Sequence, residues 1–246
     1  MIKLDTHTNK YFEELNTSVL NCFPKNGSKK TVLDVGCGLG VLGGVLSKLN
    51  YKVTGIENDD EVIRTARTRL DSVIISDLTD YSEIDFTLDN DKFDYIVISD
   101  VLEHLYDPFK VVEEYSYFLK PKGKIIVSVP NILVWAFRFK MLFGKFEYMD
   151  SGNMDRTHIR FFTLKSIKRL IKAANFKIIK TDYVPYFTRG LRRPFQNLLG
   201  MKGYQKLYNF YLKYIYQIEY VLGFCWKQMF GFRIVVMGEL KEESNG

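Results

Sequence analysis

Cysteine, histidine and proline are all scarce in this chain of 246 residues, which has three, three and six of them. The cysteines, Cys22, Cys37 and Cys225, are odd in number and share no CxxC or other metal-ligand spacing. That excludes a disulfide framework and fits a reducing compartment. No uninterrupted apolar run is long enough to span a membrane as a helix. The first ten residues are polar and carry no apolar signal segment, so the expected location is the cytoplasm. No internal repeat or low-complexity tract is visible either.

What is present is the composition of a packed globular protein, 46% hydrophobic. The length suits one α/β domain with an insertion and is too short for two comfortable domains. The net charge of +6 is unevenly placed. Between residues 186 and 233 stand Arg189, Arg192, Arg193, Lys202, Lys206, Lys213, Lys227 and Arg233 against the single acid Glu219. Fourteen of the 37 aromatic residues lie in the same segment. Basic and aromatic composition together fits nucleic acid, an anionic membrane surface or an acidic substrate such as a sugar nucleotide.

The most informative stretch is Val32-Leu33-Asp34-Val35-Gly36-Cys37-Gly38-Leu39-Gly40. A β-branched run meets a glycine turn, and a helix-like stretch follows. Glycines there let the backbone turn tightly and approach a ligand at the mouth of a parallel sheet. The dinucleotide fingerprint needs its last glycine where this chain has Val41, so the spacing is GxGxG. Asp34 stands just before the turn. A carboxylate repels a pyrophosphate and attracts an ammonium or sulfonium, so the loop suits a cationic nucleoside. Glu57 ends the next apolar strand, 23 residues further on, where it can accept hydrogen bonds from ribose hydroxyls. A third strand, residues 73–77, ends in Asp77, suited to an adenine amino group. Residues 93–99 and 123–130 read as a fourth and fifth.

These blocks, over residues 28 to 185, resemble the class I S-adenosylmethionine-dependent methyltransferases. The resemblance implies a seven-stranded, mostly parallel, Rossmann-like sheet flanked by helices, with an inserted cap and a helical insertion before the last strand. It implies that Asp34, Gly36, Cys37, Gly38 and Gly40 hold the methionine part of the cofactor. Glu57 with Asn58 would meet the ribose, Asp77 with Leu78 the adenine, and Ser99 would complete the pocket.

A single domain is expected: a leading helix within 1–27, a cofactor-binding core at 28–130, a cap at 131–162, and a helix and strand at 163–185. A basic aromatic helical insertion at 186–231 and a last strand at 232–240 follow. Helices are expected at 7–22, 41–49, 59–70, 107–119 and 164–174. Asp107-Pro108 and Thr163 carry start signals. Between 205 and 226, Leu207, Tyr211, Tyr214, Ile218, Val221 or Leu222, and Cys225 make an apolar stripe at helical spacing. Such a helix would pack over the active site, against a second subunit in a homodimer, or on a membrane surface.

The chemistry is expected beyond the fourth strand, at Ser99-Asp100-Val101-Leu102-Glu103-His104. A similar Glu-His pair occurs in the family that includes the ubiquinone-biosynthesis O-methyltransferases. A hydroxyl acceptor needs a base or a metal to remove its proton, and imidazole serves near neutral pH. His104, His158 and Asp100 are the candidate catalytic residues. Asp155-Arg156-Thr157-His158-Ile159-Arg160-Phe161-Phe162-Thr163 resembles a signature of methyltransferases in bacterial surface-polysaccharide and other glycan pathways. Arg156 and Arg160 offer fork-shaped donors for a phosphate or carboxylate, with Tyr148 nearby as an acceptor contact. Asp100, Glu103, His104 and His158 also look like the metal-binding arrangement of small-RNA 3′-end 2′-O-methyltransferases, with Asp in place of the first Glu. Magnesium or manganese would be the ion.

The reading is an S-adenosylmethionine-dependent O-methyltransferase of a nucleotide- or lipid-linked sugar or glycan precursor, working with a base at the membrane periphery or in the cytoplasm. One alternative is a metal-assisted enzyme for RNA ends or a small phenolic or quinone metabolite. Nucleic acid is the weaker partner, for want of a recognised RNA-binding module. A non-catalytic scaffold is the other alternative, opposed by the intact acids at the strand ends.

Overall fold

A computed structural model describes residues 15–88, 92–150, 152–185, 200, 202–203, 205–215, 218, 221–222 and 226–241. Seven strands form one sheet: β1 Thr31–Val35, β2 Lys52–Glu57, β3 Ser72–Ile75, β4 Phe93–Ser99, β5 Leu119–Pro130, β6 Phe176–Pro185 and β7 Gly231–Leu240. Their order is β3-β2-β1-β4-β5-β7-β6. The first five run parallel, and β7 is antiparallel to both β5 and β6. The expected mostly parallel sheet is therefore borne out. Its central strands are near-continuous apolar runs because helices cover both faces. One face buries Leu33, Ile56, Ile96, Ile98 and Ile125. The other buries Val32, Val53, Tyr95, Val97 and Ile126.

Helices α1 Thr17–Leu20, α2 Val41–Lys48, α3 Asp60–Ala66, α4 Tyr81–Leu88, α5 Pro108–Ser116, α6 Trp135–Leu142 and α7 Leu164–Ala173 connect the strands. Local signals start two of them as expected. The Asp107 side chain accepts from Lys110 N–H before Pro108 opens α5. Thr163 and Ser166 form a reciprocal capping box at α7. Helix α3 closes at Ala66, earlier than its apolar pattern suggests.

Helices α4 and α6 go beyond the sequence expectation. Asp80 starts α4 by accepting from Glu83 N–H, although residues such as Tyr, Ile, Phe and Thr are indifferent helix formers. Helix α6 forms inside the aromatic stretch because Phe137 packs with Val134, Met154 and Phe232. Of the expected leading helix, residues before 15 lie outside the described residues, as do Arg189, Arg192, Arg193 and Cys225. Of the expected 205–226 helix, 205–210 is helical and Tyr211–Ile215 is a π turn. Tyr211 is buried there, while Leu207, Tyr214, Ile218, Val221 and Leu222 are exposed.

The sheet brings β1 and β2 close enough to shape the glycine loop. A Cβ on Gly55 would sit 2.6 Å from Cys37 Sγ and 2.7 Å from Leu70 Cδ1. Gly55→Ala should therefore cost about 1–3 kcal/mol in urea unfolding, the usual penalty of overpacking, with an unchanged denaturant slope. An unaltered midpoint would show that the loop yields freely.

Candidate active site

At the end of β1 the chain enters the left-handed region three times, at Gly36 (φ 72°), Gly38 (φ 52°) and Gly40 (φ 69°). Only glycine does this cheaply. Gly36 and Cys37 N–H both donate to Ile56 O, at 2.9 and 3.0 Å, which ties the loop to β2. Glu57 follows at the end of β2 and is buried. Its Oε2 accepts from Gly38 N–H at 2.9 Å, and its Oε1 from Asn58 and Asp59 N–H at 2.9 and 3.2 Å. Asp34 is also buried and has no side-chain hydrogen bond among the described residues. Burial, and then the charge on Glu57, push its carboxyl up to about 7. Burial and both acids push the Cys37 thiol up as well.

The other residues expected to meet the cofactor stand at or near the ends of β2, β3 and β4. Asp77 is exposed just beyond β3, its Oδ1 accepting from Thr79 N–H and Oγ1–H at 2.8 and 2.6 Å. Leu78 is half-buried, and its carbonyl accepts from Tyr115 O–H at 3.2 Å. Asn58 is exposed and Ser99 half-buried. Val101 and Leu78 lie against Gly36, where a Cβ would meet them at 2.6 and 3.5 Å.

A second cluster lies past β4. Asp100 adopts φ 57°, a strained conformation for a residue with a side chain. Its N–H donates to Ser128 O at 2.9 Å, and its Oδ1 lies 2.9 Å from Arg233 Nε of β7. Burial raises the Asp100 carboxyl, and the Arg233 charge opposes that rise. A 3-10 turn, Leu102–His104, follows. Glu103 is 1% exposed, and its Oε2 has no hydrogen-bond partner. Burial first, and the Asp100 charge second, hold its carboxyl well above the usual range.

His158 Nε2 stands 4.0 Å from Glu103 Oε1. His158 Nδ1 meets Asn153 O at 3.2 Å, and His104 Nδ1 meets Thr157 O at 3.2 Å. A carbonyl only accepts, so both Nδ1 atoms carry a hydrogen, and Nε2 is the nitrogen that a neutral ring leaves free to accept. The two rings meet edge to face, 4.8 Å between centroids. Glu103, His104 and His158 each offer a ligand atom, all within 4.8 Å of one another. Burial lowers the His158 pKa and so favours the neutral ring.

The structure thus gathers the expected Asp100, Glu103, His104 and His158, but Asp100 stands outside the convergent set and pairs with Arg233 instead. The arginines also differ from expectation. Arg156 Nε pairs with exposed Asp150 at 3.1 Å. Arg160 clasps Tyr106 O through Nε and Nη2, at 3.1 and 2.6 Å. Arg160 thereby fastens the cap loop, whereas Arg156 meets Asp150 through Nε alone and is largely exposed. Tyr148 is exposed, beside Phe146 and Phe161. Arg233 was missed as a site residue, though it is a lone charge between apolar strand neighbours and so could have been flagged. Nothing in the local sequence singles out Asn153.

Comparison with known proteins agrees with this geometry. The profile of the family described as "Methyltransferase domain" matches residues 7–181. The chain belongs to that methyltransferase family. Ubiquinone biosynthesis O-methyltransferase of Coxiella burnetii (strain RSA 331) is 29% identical over 160 residues, 64% of this chain and 68% of that protein. The protein of the same name from Xylella fastidiosa is 36% identical over 116 residues, 46% of each. A SAM-dependent methyltransferase from Archaeoglobus fulgidus superposes with TM-score 0.59 at 16% identity, covering 91% of both chains. Magnesium protoporphyrin IX methyltransferase from Synechocystis PCC 6803, solved with bound SAH, gives 0.56 at 13% identity, covering 92% of this chain and 80% of that one. The fold of this methyltransferase is that of the class I S-adenosylmethionine-dependent enzymes.

The acidic pair makes a pH-dependent prediction. The pKa of Asp34 is higher folded, at about 7, than its ordinary 3.8. Its contribution to stability is therefore complete below 3.8 and lost as pH rises through about 7. The ligand-free protein should show a melting temperature that falls across this window, and Asp34→Asn should flatten the fall. A slope untouched by Asp34→Asn would refute the assignment. In calorimetry, Asp34→Ala or Glu57→Ala should weaken S-adenosylhomocysteine at least about tenfold, since each removes charge-assisted hydrogen bonds worth about 1.5–3 kcal/mol.

Proposed function

We propose that this methyltransferase moves a methyl group from S-adenosylmethionine to a hydroxyl oxygen of a sugar or glycan precursor, nucleotide- or lipid-linked. The observation that carries an oxygen acceptor is the pair of available Nε2 atoms on His104 and His158, set around buried Glu103 beyond β4. The relatives named O-methyltransferases support oxygen as the accepting atom. The 155–163 signature supports a glycan.

When bound, the cofactor supplies a methyl carried on a sulfonium. The residues present fit it. Asp34 lacks a partner and welcomes a cation, with Gly36, Cys37, Gly38 and Gly40 around it. Glu57 is fixed by three backbone N–H groups and keeps acceptor capacity for ribose hydroxyls. Asn58, Asp77, Leu78 and Ser99 complete the pocket. At the other end of the site, Nε2 of His104 or His158 takes the acceptor's hydroxyl proton, and the exposed cap residues Tyr148, Arg156 and Arg160 bound the acceptor.

A second reading follows from buried Glu103 Oε2 without a partner. Glu103, His104 and His158 would hold a divalent ion, whose chemistry is to acidify a bound hydroxyl. Both imidazoles already donate Nδ1–H to carbonyls, as metal-bound histidines do. Two nitrogens and one carboxylate suit manganese or zinc better than magnesium. Such an ion fits a phenolic or quinone acceptor equally well.

No helix among the described residues is long and apolar enough to cross a membrane. Exposed Leu207, Phe210, Tyr214 and Val221 beside Lys206 and Lys213 support a peripheral contact or a subunit interface.

Cofactor turnover with nucleotide sugars and catechols as acceptors separates the acceptor readings. Under the base reading, His104→Ala or His158→Ala should lose about 100-fold or more in turnover while still binding the cofactor. Exhaustive chelation should then leave activity unchanged. Activity abolished by chelator and restored by manganese would establish the metal reading instead. Two histidine variants at wild-type rates would remove both.

A further inference from the structure

His158 is held in place from a direction opposite to its reacting nitrogen. Its Nδ1–H donates to the main-chain carbonyl of Asn153, at 3.2 Å. Asn153 is itself 2% exposed, and its side chain reaches the sheet. Its Nδ2 donates to Asn131 O at 2.8 Å and to Phe232 O at 3.1 Å, one carbonyl just past the end of β5 and one at the start of β7. Asn131 is fully buried and repeats the device, donating from Nδ2 to Gln228 O and Gly231 O at 2.8 Å each. Its backbone N–H donates to Phe232 O at 3.0 Å, and its Oδ1 accepts from Leu133 N–H at 3.0 Å.

Two buried amides therefore pin the cap to the junction of β5 and β7, and the last link of that chain is the imidazole. We propose that Asn153, braced by Asn131, is the positioning residue of His158: it fixes the ring as the Nδ1–H tautomer and presents Nε2 to the site. A buried amide at this place costs desolvation, and the fold accepts even an unpartnered Oδ1 on Asn153 to keep its two donors. A cap held by packing alone would need no such group, because Val134, Phe137, Met154 and Phe232 already bury one another beside it. The inference deepens the reading of His158 as a proton acceptor or ligand. It extends control of that residue to the start of β7 and the turn before it, through Gly231 and Gln228.

His104 supplies an internal control, because its Nδ1–H rests on Thr157 O, outside the amide chain. The test is nitrogen-detected NMR of the histidine side chains in the full chain, with chelator present and at one fixed pH. In the wild type, His158 should show a protonated Nδ1 and an unprotonated Nε2. Asn153→Ala keeps the main-chain carbonyl and removes both donors, so His158 should shift toward the Nε2–H form while His104 keeps its signals. Asn131→Asp, one link further away, should produce a smaller shift in the same direction and serves if Asn153→Ala does not fold. Turnover on whichever acceptor is found should fall about 10–100-fold in Asn153→Ala, as for other outer-shell partners.

A wild-type His158 protonated at Nε2 would overturn the proposal, as would an Asn153→Ala spectrum identical to wild type. Joint movement of His104 and His158 would overturn it as well, showing a general loosening of the cap. S-adenosylhomocysteine calorimetry on the same samples keeps the two readings apart. Wild-type protein that fails to bind it would sink the cofactor assignment and leave the tautomer result standing.

Discussion

Asp34 and Glu57 end adjacent strands, both are buried, and no lysine or arginine is paired with either among the described residues. Two carboxylates in such a place repel one another and lose hydration, which costs stability unless something compensates. Glu57 is compensated from within, by three backbone N–H groups that the glycine loop and the start of α3 direct at it. Asp34 is left to take up a proton or a cation. The glycine turn is thus more than a tight bend. It exists to deliver Gly38 N–H to one acid while leaving the other open, and that asymmetry turns a generic parallel sheet end into a pocket for a positively charged nucleoside.

The second half of the site depends on a different economy. Glu103 accepts two cap amides, from Ile159 and Arg160, on its main-chain carbonyl while its carboxylate faces His158. One residue therefore both anchors the cap and occupies the cluster. Arg160 adds a second clasp on Tyr106 O. These contacts bring His158 to His104 across 54 residues of sequence, while Phe139, Leu142 and Phe143 of the outer cap are exposed.

Legibility in the sequence followed how local the cause was. The β1 loop, Glu57, and the starts of α5 and α7 are set by residues a few positions apart, so periodicity and cap chemistry reveal them. Glu103, His104 and His158 were legible as types because two short motifs carry them. The pairing of Asp100 with Arg233 was not, since it joins β4 to an antiparallel strand more than a hundred residues away. The same holds for Asn153, whose partners are backbone carbonyls at Asn131 and Phe232 and leave no pattern in side-chain identity. Helix α6 was obscured for another reason, because Trp135, Phe137, Phe139 and Met141 at alternate positions carry no helical period until tertiary burial of Phe137 selects one face.

The pairing of Asp100 also bears on the accepting atom. With Arg233 beside it, Asp100 is the acid with a cation in direct contact, while Glu103 keeps a buried oxygen without a hydrogen-bond partner. A buried carboxyl with one unpartnered oxygen, beside two imidazoles whose Nδ1 atoms face carbonyls, is suited to receive a proton or a cation rather than to donate to an anion. A neutral amine already carries the lone pair that attacks a methyl sulfonium, so such machinery would add little for a nitrogen acceptor. A hydroxyl is a poor nucleophile until its proton is removed. The cluster therefore supports the oxygen acceptor proposed above.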